Sequence, residues 1–487
     1  DRFVVTPNGT VLELGEPDVL FLNDGVGRFS LVPFDGGAFL DESGRPLSEP
    51  PRDWGLAVQF HDFTGDGAPD LYVCNDLYTP DRIWVNDGHG VFRALDSLSL
   101  RSTSTFSMGV DFGDLERDGD VDFFTVDMLS RHHVDRQIRV SQSRSGAAPV
   151  SLIEPRLQIP RNTLQVNRGD QSFAETAFYS GVEASEWSWG PIFLDVDLDG
   201  WEDILITNGQ LRDFQNADMA ERVERSKAVR QLSQADMARL IAGYPDLKTA
   251  NVAFRNRHDL TFEEVGADWG FDSRGISQGM ALGDLDNDGD LDVVMNNLNG
   301  EAGVYCNRGA APRVAVRLRG EGGNRYGIGA RITVKGGPVE QSQEMISGGR
   351  YLGGDQAMRV FAAGALGHKL SIEVRWRNGR VSVVADARAN RLYEIDESGS
   401  KSVARDESGS KSVLPWFEDV SGLIGHGHVE AAYEDFERQP LLPRRLSQLG
   451  PGVGWYDYDG DGWDDLMIAS GRGGMLGLYR NDGGGGF

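Results

Sequence analysis

The chain has 487 residues, 63 of them glycine, and a formal net charge of −27. That acidity argues against a nucleic-acid partner, two cysteines exclude a disulfide framework, and no run of about 20 apolar residues offers a membrane span. The length suggests two to four domains, and abundant glycine with few helical stretches points to β-structure broken by turns.

In chain order, residues 1–33 hold a strand-like turn, Phe21-Leu22-Asn23-Asp24-Gly25, and a second apolar start at Phe29. An acidic loop then occurs five times. Its copies are Asp62, Thr64, Asp66 and Asp70; Asp114, Glu116, Asp118 and Asp122; Asp195, Asp197, Asp199 and Asp203; Asp284, Asp286, Asp288 and Asp292; and Asp457, Asp459, Asp461 and Asp465. These are positions 1, 3, 5 and 9 of each loop, and position 6 is always glycine: Gly67, Gly119, Gly200, Gly289 and Gly462. A hard cation such as calcium takes six to eight oxygens. Alternate residues of a tight loop aim side chains inward, and glycine permits the sharp turn. The carbonyl at position 7, Asp290 in the fourth copy, is expected to add a backbone oxygen. Calcium is therefore the expected cofactor, with all twenty of these residues as candidate ligands.

An EF-hand would need a glutamate at position 12 and flanking helices. Position 12 is instead Val73, Thr125, Ile206, Met295 or Ile468. Short apolar runs follow the loops, such as Asp203-Ile204-Leu205-Ile206, so each loop joins two strands. A glycine stands five residues before the first ligand in four copies (Gly109, Gly190, Gly279, Gly452), and Ala57 in the first. A third strand ends in an asparagine turn at Asn86, Asn167 and Asn256, and a fourth opens at Phe92, Phe173 and Phe262. Four strands per unit, repeated, predict an all-β propeller whose blades carry the calcium loops.

Insertions show in the spacing between loops. Residues from roughly 129 to 160 are rich in arginine, including Arg131, Arg136, Arg139, Arg144 and Arg156, with Arg161 just beyond. They are expected to pair with the protein's own acidic surface rather than an anionic glycan. Residues 211–247 carry helix formers at three- and four-residue steps and predict a short helical insertion. Residues 311–395 alternate as a small β-domain of about six strands. The octet from Asp396 to Val403 returns from Asp406 to Val413, so 396–413 reads as a mobile linker.

The loops resemble the FG-GAP/VCBS repeats of integrin α-chain propellers and bacterial surface proteins. Residues 311–395 resemble an ASPIC/UnbV domain through Asn324-Arg325-Tyr326-Gly327-Ile328-Gly329-Ala330 and Val374-Arg375-Trp376-Arg377-Asn378-Gly379. Together they are similar to the cartilage acidic protein family and to large bacterial VCBS-repeat proteins. In the bacterial members a second propeller follows this domain, opening with a stretch matched here by His428, Glu430, Asp435-Phe436, Leu441-Leu442-Pro443, Ser447 and Gly450-Pro451. The resemblance thus implies a partial propeller over 1–310, the β-domain over 311–395, the linker, and the start of a second propeller over 414–487. It also implies a location that is extracellular, at the cell surface or periplasmic. Both ends are expected to cut through blades.

The residues favour a non-enzymatic binding or adhesion module presenting loops to an extracellular glycan or protein. The alternative is a polysaccharide-acting enzyme or a transition-metal site at His426, His428 and Glu430, which alternate on one side of an extended strand. A glycosidase needs a free carboxylate pair, and the patterned aspartates are already assigned to cations. Hydrogen bonding at a strand end is the expected role of the two histidines.

Overall fold

The computed structural model describes residues 3–5, 9, 11–139, 156–229, 233–399, 403–406, 417–419, 421–431, 433, 452–484 and 486. Strands dominate, with few helices, in a β-propeller-like arrangement. The first blade orders its strands Phe39–Leu40, Phe92–Ala94, Arg82–Asn86, Asp70–Asn75 and Gly55–His61. The second comprises Gly109–Gly113, Asp122–Val126, Thr163–Asn167 and Phe173–Glu175, and the third Ser188–Leu194, Asp203–Asn208, Val252–Asn256 and Phe262–Glu264. All six residues of Asp203–Asn208 are buried, because a blade packs both faces against neighbours. This is why its centre, Ile204-Leu205-Ile206, is continuously apolar rather than alternating.

The first strands of successive blades lie side by side. The glycines five residues before the loops meet close backbone, from the next first strand or from the inserted domain. A Cβ at Gly109 would lie 2.6 Å from the Trp189 carbonyl oxygen, and one at Gly279 2.5 Å from that of Leu352. Close backbone approach therefore explains these glycines.

The fourth blade differs from expectation. Ser277–Gly283, Asp292–Asn297 and Gly303–Asn307 run in order, but the fourth strand is Phe417–Asp419, paired Tyr305↔Asp419 and Asn307↔Phe417. The β-domain is thus inserted between the third and fourth strands of one blade. Residue 414 was expected to start a second propeller, yet the strand just after it completes the blade begun at Ser277. Val453–Tyr456, Asp465–Ile468 and Gly477–Tyr479 follow as a fifth blade, beside Ser277–Gly283. The expected linker is also corrected in part, since Val403–Asp406 pairs with Arg391–Asp396. Backbone pairing there does not require the apolar face whose absence suggested a linker.

The inserted domain has two four-stranded sheets, one centred on Arg313–Arg319 and Arg391–Asp396, the other on Arg331–Lys335 and Leu370–Arg375. Val316, Ile332, Phe361, Val374 and Trp376 lie in the core between them. It is not wholly separate, because Gly353–Gly354 pairs in parallel with Val453 and Gly454 of the fifth blade. The helical insertion is present as Ala217–Val229 and Gln234–Ala242, the second with a Ser233–Asp236 capping box.

The third-strand asparagines bind blade to blade. Asn256 donates to Glu202 O in its own loop at 3.1 Å and to Leu115 O in the preceding blade at 3.4 Å. Asn167 reaches Phe63 O, and Asn307 reaches Val196 O, in the same way. Leaving such buried carbonyls without a donor costs about 1–3 kcal/mol. Asn256→Ala is therefore expected to destabilise the protein by about 2 kcal/mol in urea unfolding. A change within about 0.5 kcal/mol, the usual range of surface substitutions, would show that the inter-blade bond is dispensable.

Candidate cation loops

Each loop closes on its own backbone. The first aspartate accepts the N–H groups of positions 5 and 6: Asp62 from Asp66 and Gly67 at 3.0 and 2.8 Å, Asp195 from Asp199 and Gly200 at 3.0 and 2.9 Å, Asp457 from Asp461 and Gly462 at 3.2 and 3.0 Å. Asp284 does the same with Asp288 and Gly289, and Asp114 with Gly119. Every position-6 glycine has a positive φ, from 88° at Gly289 to 100° at Gly200, so the expected turn requirement is met. Position 4 is left-handed as well, at Gly65, Arg117, Leu198, Asn287 and Gly460. Because only two of those five are glycine, the sequence does not announce it.

The ninth position fixes the loop to the blade. Asp70 Oδ1 accepts the Asn86 N–H at 2.9 Å, and Asp122, Asp203, Asp292 and Asp465 accept those of Asn167, Asn256, Asn307 and Asn481 at 2.7–2.9 Å. The other oxygen of each accepts an N–H from the start of its own loop: Thr64, Leu115, Val196, Leu285 or Tyr458.

Carboxylates converge to different degrees. Among the described residues, ligand oxygens come within 4.8 Å of one another in three trios: Asp195, Asp197 and Asp199; Asp284, Asp286 and Asp292; Asp457, Asp459 and Asp465. The remaining carboxylates of these loops have protein partners, as do Asp197, Asp199 and Asp459 within the trios. Asp203 is held as above, Asp288 lies 2.8 Å from Arg313, and Asp461 lies 2.7 Å from Arg480. In the first loop the Thr64 hydroxyl donates to Asp70 Oδ2 at 3.0 Å. In the second, burial and the neighbouring Asp118 push the Glu116 carboxyl up to about 7.

Burial and mutual repulsion raise the Asp195, Asp203 and Asp292 carboxyls well above the usual range. Asp114 Oδ1 and Asp197 Oδ1 are buried without a hydrogen-bond donor. Buried like charges with vacant oxygens suit a divalent cation. Arginines supply part of the balance instead: Arg255 lies 2.6 Å from Asp197, and Arg480 2.7 Å from Asp459. Both precede the third-strand asparagine (Asn256, Asn481), a positional signal that reading the loops alone misses.

The described part of the basic insertion pairs internally, and residues 140–155 lie outside the described residues. Arg131 meets Glu186 and Glu264, Arg136 meets Glu183, and Arg139 meets Glu186 and Asp213. The histidine stretch is buried, but its hydrogen bonds favour a structural role. Asn299 N–H donates to His428 Nδ1 at 3.2 Å. In the neutral ring the proton then sits on Nε2, 3.7 Å from Glu430, and a protonated nitrogen cannot ligate a metal. His426 Nδ1 lies 3.1 Å from the Tyr479 hydroxyl. Asp435, which the resemblance matches nearby, lies outside the described residues.

Residues 62–125 match the model of an FG-GAP-like repeat, and residues 320–402 match that of the ASPIC and UnbV domain. No curated protein matches this chain. Among solved structures, the chain is similar to an Agrocybe aegerita lectin described as recognising non-reducing terminal N-acetylglucosamine, at 13% identity over 99% of this chain and 92% of that one. The TM-score is 0.32, too low to transfer fold or function.

The loops should differ in affinity. Thr64→Asp is expected to tighten divalent-cation binding at the first loop, and Asp286→Ala to cost more calcium-dependent stability than Thr64→Ala, each followed by calorimetric titration and calcium-dependent melting. Tighter binding at the first loop than at the fourth in the unaltered protein would overturn this ranking.

Proposed function

We propose that this chain, built from FG-GAP-like repeats and an ASPIC and UnbV domain, is a calcium-binding extracellular module that binds a glycan or a protein. The observation that carries the reading is the five-fold loop, with its buried carboxylates and backbone closure. Asp62, Asp66 and Asp70; Asp114, Glu116, Asp118 and Asp122; and the twelve aspartates of the last three loops would hold the ions, with Thr64 as a neutral ligand. Bound calcium would supply the positive charge that these oxygens lack and rigidify the blades. The domain limits that go with this reading are a propeller-like arc over 1–310 resumed at 417, with the β-domain held between.

Two features favour a particular face for the partner. Loops precede the second strand of each blade, whereas the arginine-rich and helical insertions follow it, after Val126 and Asn208. The insertions therefore emerge on the face opposite the loops. Val134 and Phe214 are exposed there, by 66% and 46%, which suits contact with a partner. Among the described residues no helix is long and apolar enough to cross a membrane. A location outside the cell or in the periplasm fits both the calcium supply and the family resemblance.

An enzymatic reading would need carboxylates left over from the loops. Asp81 is fully satisfied by the Asn75 N–H and the Tyr72 and Ser107 hydroxyls, and Asp127 by Ser104 and two backbone N–H groups. Both act as braces, so binding without turnover is favoured.

Extracellular calcium modules often bind near 10⁻⁴–10⁻³ M, by order of magnitude. At free calcium about ten times that constant, each filled site stabilises by about 1.4 kcal/mol. A chelator should therefore lower the melting temperature by several degrees, and melting indifferent to it would contradict the reading. On a glycan array and a polysaccharide panel, retention without product release is expected. Released product would establish the enzyme instead.

A further inference from the structure

The inserted domain touches all five acidic loops. Glu344 accepts the Asp62 N–H at 2.9 Å in the first, and Arg331 donates to the Gly119 carbonyl in the second. Gly200 of the third faces the domain so closely that a Cβ there would lie 2.9 Å from Val339. In the fourth, Gln356 accepts the Asp284 N–H at 2.9 Å and Arg313 donates to the Asp288 carbonyl at 2.5 Å. In the fifth, the Arg317 guanidinium stands 6.0 Å from the Trp463 ring centroid. Most of these contacts fall on backbone groups at loop positions 1, 5 and 6. Closure of the loop on its first aspartate fixes where those groups stand.

The two sides of the domain are held differently. Toward the third and fourth blades the contact is apolar, with Met358, Val360 and Leu392 in one core with Leu282 and Val293. Toward the first and second blades ion pairs and polar groups are added. A wedge of the domain carries Arg350 between Asp111, at 2.9 Å, and Asp355. Tyr351, buried in the apolar core that the first three blades share, stacks on Trp189 of the third blade with ring centroids 5.1 Å apart, and the Leu352 carbonyl accepts the Val453 N–H of the fifth blade at 2.9 Å. Beside the wedge lies a cavity of about 60 Å³ whose walls include Glu202, Glu344 and Arg331, large enough for a few waters. Ion pairs around a cavity separate more readily than a continuous apolar core.

We propose that the inserted domain is a cap seated by the cation load of the loops. Filled loops hold the backbone groups that the cap grips, so the wedge stays in place. In empty loops, crowded carboxylates repel, the grips shift, and the polar side of the cap loosens while its apolar side stays anchored on the third and fourth blades. This rests on the calcium reading above. Linkage makes the coupling reciprocal, so a seated cap tightens calcium binding by the same factor that calcium favours seating.

Hydrogen exchange on the full chain tests it, with calcium and then with a chelator. The Val453 amide and peptides over 345–354 are expected to exchange at least about tenfold faster without calcium, within the usual span of coupling between sites. Amides of Met358–Ala362 should keep their protection in both states. Tyr351→Ala, at a residue that is not one of the candidate ligands, should raise the calcium dissociation constant about tenfold. If calorimetry shows calcium binding while exchange at Val453 and the 345–354 peptides is unchanged, the cap is overturned and the calcium reading stands. Unaltered affinity in Tyr351→Ala also overturns the cap. Absence of calcium binding in the unaltered protein overturns both.

Discussion

The aspartate at the ninth loop position carries the architecture. One oxygen accepts the N–H of the third-strand asparagine and the other an N–H at the start of its own loop, in all five blades. A buried carboxylate that accepts several N–H bonds stays in place only if all are made. The same asparagine then reaches the preceding blade through its carboxamide at Asn167, Asn256 and Asn307. Loop closure and strand pairing thus meet at the aspartate of every blade, and in three blades the paired asparagine adds blade stacking. This coupling explains how a chain with 63 glycines and two buried free cysteines holds its sheets together without disulfides.

The position of the inserted domain follows from this geometry. Third strands end on the loop side of a blade, so material inserted after Asn307 emerges over the loops, whereas insertions after Val126 and Asn208 emerge on the other side. The domain covers the face where cations would bind, and the opposite face carries the decorations. Under the proposed function, ion binding and partner recognition would fall on opposite sides of one scaffold.

Much of this was legible in the residues. The loops, the strands after them, the asparagine turns and the helical insertion could be read because each has a local cause: a fixed ligand spacing, a left-handed turn, or a periodic apolar face. What was not legible depends on pairing between distant segments. Phe417–Asp419 is a short strand like many others, and nothing in it names Gly303–Asn307 as its neighbour. The tandem octet hid a strand at Val403–Asp406 because its backbone, not its composition, makes the contact. Arg255, Arg313 and Arg480 sit on the loops from other strands, so their role shows only when the loops are seen in space. The reach of the domain to all five loops is likewise a property of the assembled chain.

The central claim is that these loops hold calcium. Equilibrium dialysis of the purified full chain followed by elemental analysis counts the ions directly. Three carboxylate trios are formed, so three or more calcium ions per chain are expected, with the number falling when Asp195, Asp284 or Asp457 is replaced by alanine. A chain that retains no calcium at millimolar free concentration, or retains the same amount in all three variants, would contradict the account.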